Sequence, residues 1–196
     1  MARNPQETQR KILEAATGEF AARGLAGTRM EAIAARAGVN KERAYNYFGG
    51  KEQLFTAVLA EELERIAAAV PIDAIGVDGI GEFAARCFDY HLDHPVLVRL
   101  LHWEALELDG DIVDEVGRTE HYQRKVAAIA DAQRAGEVTG DIPAAELLFL
   151  VLAMAAWWAA VPQVARMVAG AAASPDDRAR RRDAVAAAAR KVSAIS

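Results

Sequence analysis

The amino-acid sequence predicts an all-α fold, and three observations lead to this prediction. Apolar side chains recur at the three- and four-residue spacing of helices along most of the chain, and no segment alternates apolar and polar residues as a strand would. Starting and stopping signals divide the chain into segments of helical length. Hydrophobic residues make up 53% and charged residues 26% of the 196 positions, which is typical of a globular protein.

Four helices are predicted before a Gly- and Asp-rich segment, Pro71 to Gly81, that reads as a loop. Thr28 and Glu31 have the spacing of a capping box at the start of the second helix. Gly38 can adopt the positive φ that ends this helix, and Asn40 can cap the third by accepting a backbone N–H bond. The predicted spans are about 5–23, 28–37, 41–48 and 51–70.

Five further helices are predicted after the loop. Prolines mark several of their ends: Pro95 begins one helix, Pro162 breaks or kinks another, and Ser174-Pro175 begins the last. Gly136 closes the longest of the five. The predicted spans are about 82–94, 95–108, 112–135, 147–161 and 175–194.

The second and third predicted helices are joined by the tight turn Gly38-Val39-Asn40. Two short helices joined in this way are the usual device for setting a helix into the major groove of DNA. Two tyrosines and three basic residues follow within residues 41–51. The pattern therefore predicts a DNA-binding helix-turn-helix.

This segment resembles the DNA-binding domain of the TetR family of bacterial repressors, and residues from about 6 to 55 carry the match. The family's pattern is a threonine-started helix containing Ile-Ala, then Gly-Val-Ser-Lys, a Tyr-x-Tyr-Phe ending, and a lysine that opens the next helix. Several spaced matches are more specific than one short motif. The matching positions are Thr28, Ile33, Ala34, Gly38, Val39, Lys41, Tyr45, Tyr47, Phe48 and Lys51.

The sequence departs from the family's pattern within and around the third helix. Asn40 stands where serine is common and preserves the cap, whereas Gly50 gives the fourth helix a weaker cap. Glu42 and Arg43 occupy positions that often hold small residues, and Ala44 replaces a larger apolar side chain. These departures leave the predicted fold unchanged and leave the base preference open.

The resemblance implies that the start of the third helix meets base edges while neighbouring residues hold phosphates. Arg43 is the expected base reader, because a guanidinium can bridge two acceptors of guanine. Glu42 could accept a bond from cytosine or lie on a solvated face, and Lys41 could be a solvated charge. The predicted DNA-binding residues are Thr28, Asn40, Lys41, Arg43, Ala44, Tyr45, Tyr47 and Lys51, with Thr28, Tyr45, Tyr47 and Lys51 on phosphates.

Charge is distributed unevenly along the chain. Residues 1–55 hold nine Lys or Arg and six Asp or Glu, a net charge of +3, whereas residues 56–196 hold fourteen and twenty-two, a net charge of −8. A basic first segment on an acidic body suits a protein that presents only this segment to phosphate. We predict a three-helix helix-turn-helix DNA-binding domain at 1–52 and a larger helical domain at 53–196.

The resemblance implies that the larger domain binds a small-molecule effector and forms a homodimer. Apolar and aromatic side chains would line the effector pocket, although aromatic residues at helical spacing are more often plain core. The candidate pocket residues are Phe83, Cys87, Tyr90, Trp103, Tyr122, Met154 and Trp157. The single cysteine excludes an intrachain disulfide and suits a reducing cytoplasm, where we expect the protein.

The nineteen residues from Leu147 to Ala165 carry no charge, which approaches the length of a membrane span. A helix that is apolar on all sides is also expected where one face packs on its own core and another on a second subunit, and we prefer this interpretation. The resemblance implies that the last two long helices pair with their counterparts in a four-helix bundle. The alanines expected to allow close approach are Ala179, Ala186 and Ala189, and the arginines expected on a solvated face are Arg178, Arg180, Arg181 and Arg182.

The predicted function is that of a homodimeric, ligand-responsive repressor on a two-fold symmetric operator in double-stranded DNA. The implied mechanism is a population shift in which the effector favours a tilt of the fourth helix. In the tilted state the distance between the two recognition helices no longer matches the spacing of the grooves. A membrane-associated helical protein and a helical enzyme that retains a helix-turn-helix are the alternatives. The sequence has no His-Glu-x-x-His motif, Gly-rich phosphate loop or Ser-centred elbow, so we expect no enzyme activity, metal or cofactor.

Overall fold

A computed structural model describes residues 4–72, 76–172 and 174–195 of the chain, and within these ranges the secondary structure consists of ten α-helices without a strand. The predicted all-α fold is therefore confirmed. The helices are α1 (Pro5–Gly27), α2 (Met30–Ala37), α3 (Lys41–Phe48), α4 (Lys51–Ala69), α5 (Val77–Asp93), α6 (Pro95–Glu107), α7 (Glu115–Arg134), α8 (Ala144–Ala160), α9 (Pro162–Ala169) and α10 (Pro175–Ser193).

The start of α5 differs from the prediction. The loop predicted from Pro71 to Gly81 is wrong in its second half, because α5 already begins at Val77; residues 73–75 lie outside the described ranges. Ile80 and Phe83 are buried and have helical spacing, so their burial outweighs the cost of the two glycines in this turn. The glycine-rich composition alone was therefore a poor guide here.

The predicted break at Pro162 is confirmed as a sharp bend. α8 and α9 are inclined by 91°, and Val161 between them has φ −130° and ψ 64°. Proline lacks the N–H that would continue the helix, and it fits the first turn of the next one. The residues after the bend form a separate helix of eight residues, none of which is buried.

The helices form two compact units. The first comprises the described residues up to Arg65 together with Val96–Asp114, and the second comprises those of 66–95 and 115–196. In the first unit, Phe20 of α1 and Phe55 of α4 are buried, and their rings meet edge to face with centroids 5.2 Å apart. Such a pair contributes roughly 0.5–1.5 kcal/mol beyond the burial of its area. The domain boundary predicted between residues 52 and 53 divides the chain differently and stays a prediction.

In the second unit α5 packs against both α8 and α10. The helices approach closely at Gly81, where an added Cβ would lie 3.1 Å from the Ala186 carbonyl oxygen and 2.6 Å from Cγ of Arg190. A glycine at this position therefore lets α10 lie directly against α5. Ser174 and Asp177 form a capping box at the start of α10, which fixes where this helix begins.

The inner face of α10 differs from the prediction. Ala186 and Ala189 are buried within the chain's own core, and Ala179 is exposed together with Ala184 and Ala187. The reason is the register of the helix: residues three and four apart share the face that packs on α5. The alanines available for another subunit are therefore Ala179, Ala184 and Ala187.

The arginines of α10 are also not a purely solvated face. Arg178 pairs with Asp89 at 3.1 Å and Asp93 at 2.6 Å, and Arg182 pairs with Asp89 at 2.6 Å and Glu82 at 2.9 Å. Hydrogen bonds to Asp93 and Asp89 raise the pKa of Arg178, and a hydrogen bond from Arg178 lowers the pKa of Asp93. Of the four predicted arginines, Arg180 alone is exposed.

Within the described ranges, no helix is by itself long and apolar enough to cross a membrane. The bent pair of α8 and α9 has sufficient length and composition only when its two members are taken together.

Candidate nucleic-acid interface

The turn between α2 and α3 has the geometry that the sequence predicts. Gly38 has φ 68° and ψ 33°, and the N–H of Val39 donates to the Ala34 carbonyl at 3.0 Å. The side-chain oxygen of Asn40 accepts from the N–H of Arg43 at 3.0 Å. The left-handed glycine ends α2 and the asparagine caps α3, so Gly38, Val39 and Asn40 are enough to connect the two helices.

Thr28 is buried between α1 and α2, and its predicted phosphate contact stays a prediction. Its hydroxyl is buried and donates to the Gly24 carbonyl at 2.7 Å, with the Glu19 carbonyl at 3.2 Å. Arg29, not Thr28, is the N-cap residue of α2, and no side chain caps this helix. The predicted capping box is therefore absent, because the threonine hydroxyl bonds to the Gly24 carbonyl of α1 instead. Only the backbone at the start of α2 remains for a phosphate.

Ala44 is fully buried, at 0% exposure, whereas the residues around it on α3 are accessible. Ala44 therefore packs in the core of the first unit, and its predicted DNA contact stays a prediction. Tyr45 is 39% exposed, and Tyr47, Arg43 and Lys51 are half-buried. Each of these four residues is therefore accessible in part.

Lys41 is held by a partner that the sequence does not indicate. Its ammonium lies 2.5 Å from the Glu31 carboxylate of α2 and 5.5 Å from the centroid of the Tyr45 ring. The hydrogen bond to Glu31 raises the pKa of Lys41, and the same bond lowers the pKa of Glu31. Both groups are therefore charged at neutral pH. Local spacing gives no signal for this pair, since the two residues lie on different helices.

Three residues of α6 hold the end of α1, and we call Arg99, Trp103 and Glu107 the α6 clamp. They follow one another at intervals of four residues and therefore share one face. Arg99 Nε donates to the Ala21 carbonyl at 2.5 Å, and Trp103 Nε1 donates to the same oxygen at 3.4 Å.

The third member of the α6 clamp completes it with the opposite charge. The Glu107 carboxylate accepts the N–H of Leu25, and that of Ala26 at 3.3 Å. Between these groups Gly24 has φ 70°. The Arg99 cation lies at a backbone carbonyl, which carries partial negative charge, and the Glu107 carboxylate lies at backbone N–H groups, which carry partial positive charge. Both contacts are therefore favourable. Trp103 thus contacts α1, and its predicted role in the effector pocket stays a prediction.

The other predicted pocket residues are distributed over the second unit. Phe83, Cys87 and Tyr90 are buried on α5, and Met154 is half-buried on α8. Tyr122 is 39% and Trp157 59% exposed. Trp157 therefore lies on the surface of the chain, which is not the environment expected of a pocket wall.

Burial dominates the chemistry of the polar groups on α5. It raises the pKa of the Cys87 thiol to about 12, so the thiol is protonated and unreactive at neutral pH. Burial also lowers the pKa of His91, whose Nδ1 lies 2.6 Å from the Cys87 carbonyl oxygen. Within residues 4–72, 76–172 and 174–195, no three His, Cys, Asp or Glu side chains are grouped so that they could hold a metal ion.

Two family models match the chain. The model described as bacterial regulatory proteins of the tetR family matches residues 12–58, and the model described as a tetracyclin repressor-like C-terminal domain matches residues 79–191. The first match contains the whole helix-turn-helix and Lys51, and the second extends over α5 to α10. Both halves of the chain therefore match the same family.

Relatives in both sequence and structure agree with the family models. The transcriptional repressor SCO4008 of Streptomyces coelicolor is 45% identical over 85% of this chain and 86% of its own length. The transcriptional regulator RutR of Escherichia coli K12 is 32% identical over 80% of this chain and 76% of its own length. The crystal structure of the transcriptional regulator SCO4942 from Streptomyces coelicolor has a TM-score of 0.83 and 31% identity, covering 95% of this chain and 98% of its own. The chain therefore belongs to the TetR family of bacterial transcriptional regulators.

Proposed function

We propose that this regulator is a homodimeric repressor that binds a two-fold symmetric operator and is released by a small-molecule effector. The observation that carries the proposal is the Asn40-capped helix α3, which presents Arg43, Tyr45 and Tyr47 beside Lys51 at the start of α4. The sign of regulation is proposed from SCO4008, which is named a repressor. We place the protein in the cytoplasm because its operator DNA is there.

Residues of the interface divide into two roles. Arg43 is the proposed base reader, since its two N–H edges match the paired acceptors of guanine in the major groove. Tyr47 and Lys51 are the proposed phosphate contacts, and they fix the register of α3 without reading sequence. When Lys41 contacts DNA, it either keeps its bond to Glu31 or exchanges that bond for one to DNA. Glu31 therefore modulates the affinity for DNA.

The proposed dimer forms through α8 and α10. Phe149 and Trp157 of α8 are 73% and 59% exposed, and they lie on one face with Leu150 and Ala153; we call these four residues the α8 face. Large apolar groups exposed together mark an interaction site. The exposed alanines of α10 supply small side chains that let a second helix approach closely. Two protomers then present two α3 helices to successive major grooves, about 34–36 Å apart.

Release of DNA follows from a population shift. An effector that binds the second unit can lower the affinity for operator only to the extent that it prefers a conformation in which the two α3 helices no longer match the groove spacing. α4 is the proposed transmitter, because Lys51–Ala69 extends past Arg65, the last residue of the first unit in this segment. The experiment that tests the proposal is a mobility shift with DNA flanking the gene, with and without a panel of small molecules.

Substitutions of Arg43 and Lys51 should have different effects on DNA binding. We expect Arg43→Ala to weaken specific binding by about 1–3 kcal/mol and to relax the sequence preference at one base pair. We expect Lys51→Ala to weaken binding to all sequences and to reduce the slope of log K against log salt by about 1. Fluorescence anisotropy with specific and scrambled DNA at several salt concentrations measures both effects.

A matched control removes a positive charge from the second unit, outside the helix-turn-helix. Arg134→Ala deletes an exposed arginine of α7 whose partner is Asp131, and this change should leave DNA affinity unaltered. The assignments of Arg43 and Lys51 are wrong if both variants bind specific DNA as tightly as the wild-type protein does.

A further inference from the structure

The second unit contains a cavity of about 400 Å³ that none of the predicted effector-pocket residues lines. Phe88 and Leu92 of α5 and Trp158 of α8 form its apolar walls, and the start of α10 closes it with Pro175, Arg178 and Arg181. We call these six residues the Trp158 pocket. The rings of Phe88 and Trp158 pack edge to face with centroids 6.1 Å apart, which gives the pocket a rigid aromatic side. Its volume lies in the range of small-molecule sites.

The two arginines of the Trp158 pocket differ in their partners. Arg178 is neutralised by Asp89 and Asp93. Arg181 forms no ion pair with the described residues; its guanidinium lies over the Trp158 ring at 5.2 Å, and Nη2 donates to the Gly170 carbonyl at 2.6 Å. The Nε–H of Arg181 is buried and has no hydrogen-bond partner within the same part of the chain. The pocket therefore combines an apolar wall with one uncompensated positive charge.

We propose that the Trp158 pocket binds a small organic anion, a carboxylate with an aromatic or aliphatic body. The apolar body would pack on Trp158 and Phe88, and the carboxylate would pair with the guanidinium of Arg181. A guanidinium is suited to this task because it stays charged and can offer two parallel N–H donors to one carboxylate. An uncharged ligand of the same shape would gain the apolar contact alone.

The inference deepens the proposed function by naming a ligand class, and it rests on that function only for the effect of the ligand on DNA. Binding itself can be measured without DNA. A result that shows no binding to the Trp158 pocket is therefore distinguishable from a result that contradicts the repressor assignment. The DNA titrations test the repressor assignment in the absence of ligand.

The test is isothermal titration calorimetry of the full chain with 2-naphthoate and decanoate, and with 2-naphthamide as the uncharged counterpart of the first. We expect saturable binding of at least one carboxylate and at least tenfold weaker binding of the amide. Arg181→Gln should weaken carboxylate binding at least tenfold and leave the amide unchanged. Arg180→Gln is the matched control, because Arg180 is an exposed neighbour that pairs with Asp177 instead of lining the pocket.

Several results would overturn the proposal. The first is that neither carboxylate binds to the wild-type protein. The second is equal binding of naphthoate and naphthamide, and the third is an Arg181→Gln variant with wild-type affinity for the carboxylate. Circular dichroism shows whether Arg181→Gln keeps its helical content. Should it not, Trp158→Leu provides a second test: it keeps Arg181 and should weaken binding of the carboxylate by removing the aromatic wall.

Discussion

Replacing Trp157 by glutamate is expected to convert the protein from a dimer into a monomer. Trp157 is 59% exposed on the α8 face, in line with Phe149 two helical turns earlier. If this face is buried between two subunits, the substitution places a carboxylate in an apolar contact without a partner, which costs several kcal/mol. Since each subunit of a symmetric dimer carries the change, the cost applies twice. Sedimentation equilibrium at micromolar concentration measures the expected halving of the mass.

Operator binding should be lost together with the dimer. A monomer keeps one α3 helix and one half-site, and it forfeits the gain from two linked contacts, which is commonly on the order of 10²–10⁴ in affinity. Val116→Glu is the control, because Val116 is 73% exposed on α7 and lies outside the α8 face. A Trp157→Glu variant that sediments as a dimer and binds operator normally would contradict the proposed interface.

The second large effect is expected at Gly24, where α1 meets the α6 clamp. Gly24 has φ +70°, and an added Cβ would lie 2.7 Å from the Glu107 carboxylate and 2.8 Å from Cε3 of Trp103. Gly24→Ala therefore combines backbone strain with displacement of two side chains that hold the end of α1. We expect the free energy of unfolding to fall by about 2–4 kcal/mol, measured by urea titration followed by circular dichroism.

Gly38 shows the cost of a positive φ without a steric clash. Its φ of 68° and ψ of 33° lie in the left-handed helical region, whereas Gly24 combines φ 70° with ψ −176°. An added Cβ at Gly38 would meet nothing within 4 Å, so Gly38→Ala should cost the strain of the left-handed region alone, about 1–2 kcal/mol. Gly24→Ala should cost more, because its backbone region is rarer for a residue with a side chain and because its Cβ would meet the α6 clamp. A Gly24→Ala variant that is as stable as Gly38→Ala would contradict this expectation.

The local signals in the sequence predicted the DNA-binding segment well. α3 has the predicted span, Gly38 is left-handed, and Asn40 caps the helix, because each of these features depends on residues within four positions of one another. The bend at Pro162 was predictable for the same reason: it follows from the covalent structure of proline.

The features that the sequence did not reveal depend on contacts between distant residues. The α6 clamp joins positions about 80 residues apart, and Arg178 meets Asp89 across a similar separation. Periodicity showed that Ala186 belongs to a helix, but it could not show which face of α10 packs on α5. Trp103 is a candidate for the pocket by residue type alone, because the sequence does not show which helix a tryptophan packs against.

A DNase I footprint on the DNA flanking the gene tests most directly whether α3 and Lys51 of a dimer hold a symmetric operator. We expect a protected site with two-fold symmetric halves centred about one helical turn apart. We also expect protection to disappear in the Tyr47→Phe, Lys51→Ala double variant at the protein concentration that saturates the wild-type site. A protected site without two-fold symmetry, or one that the double variant protects equally well, would contradict this proposal.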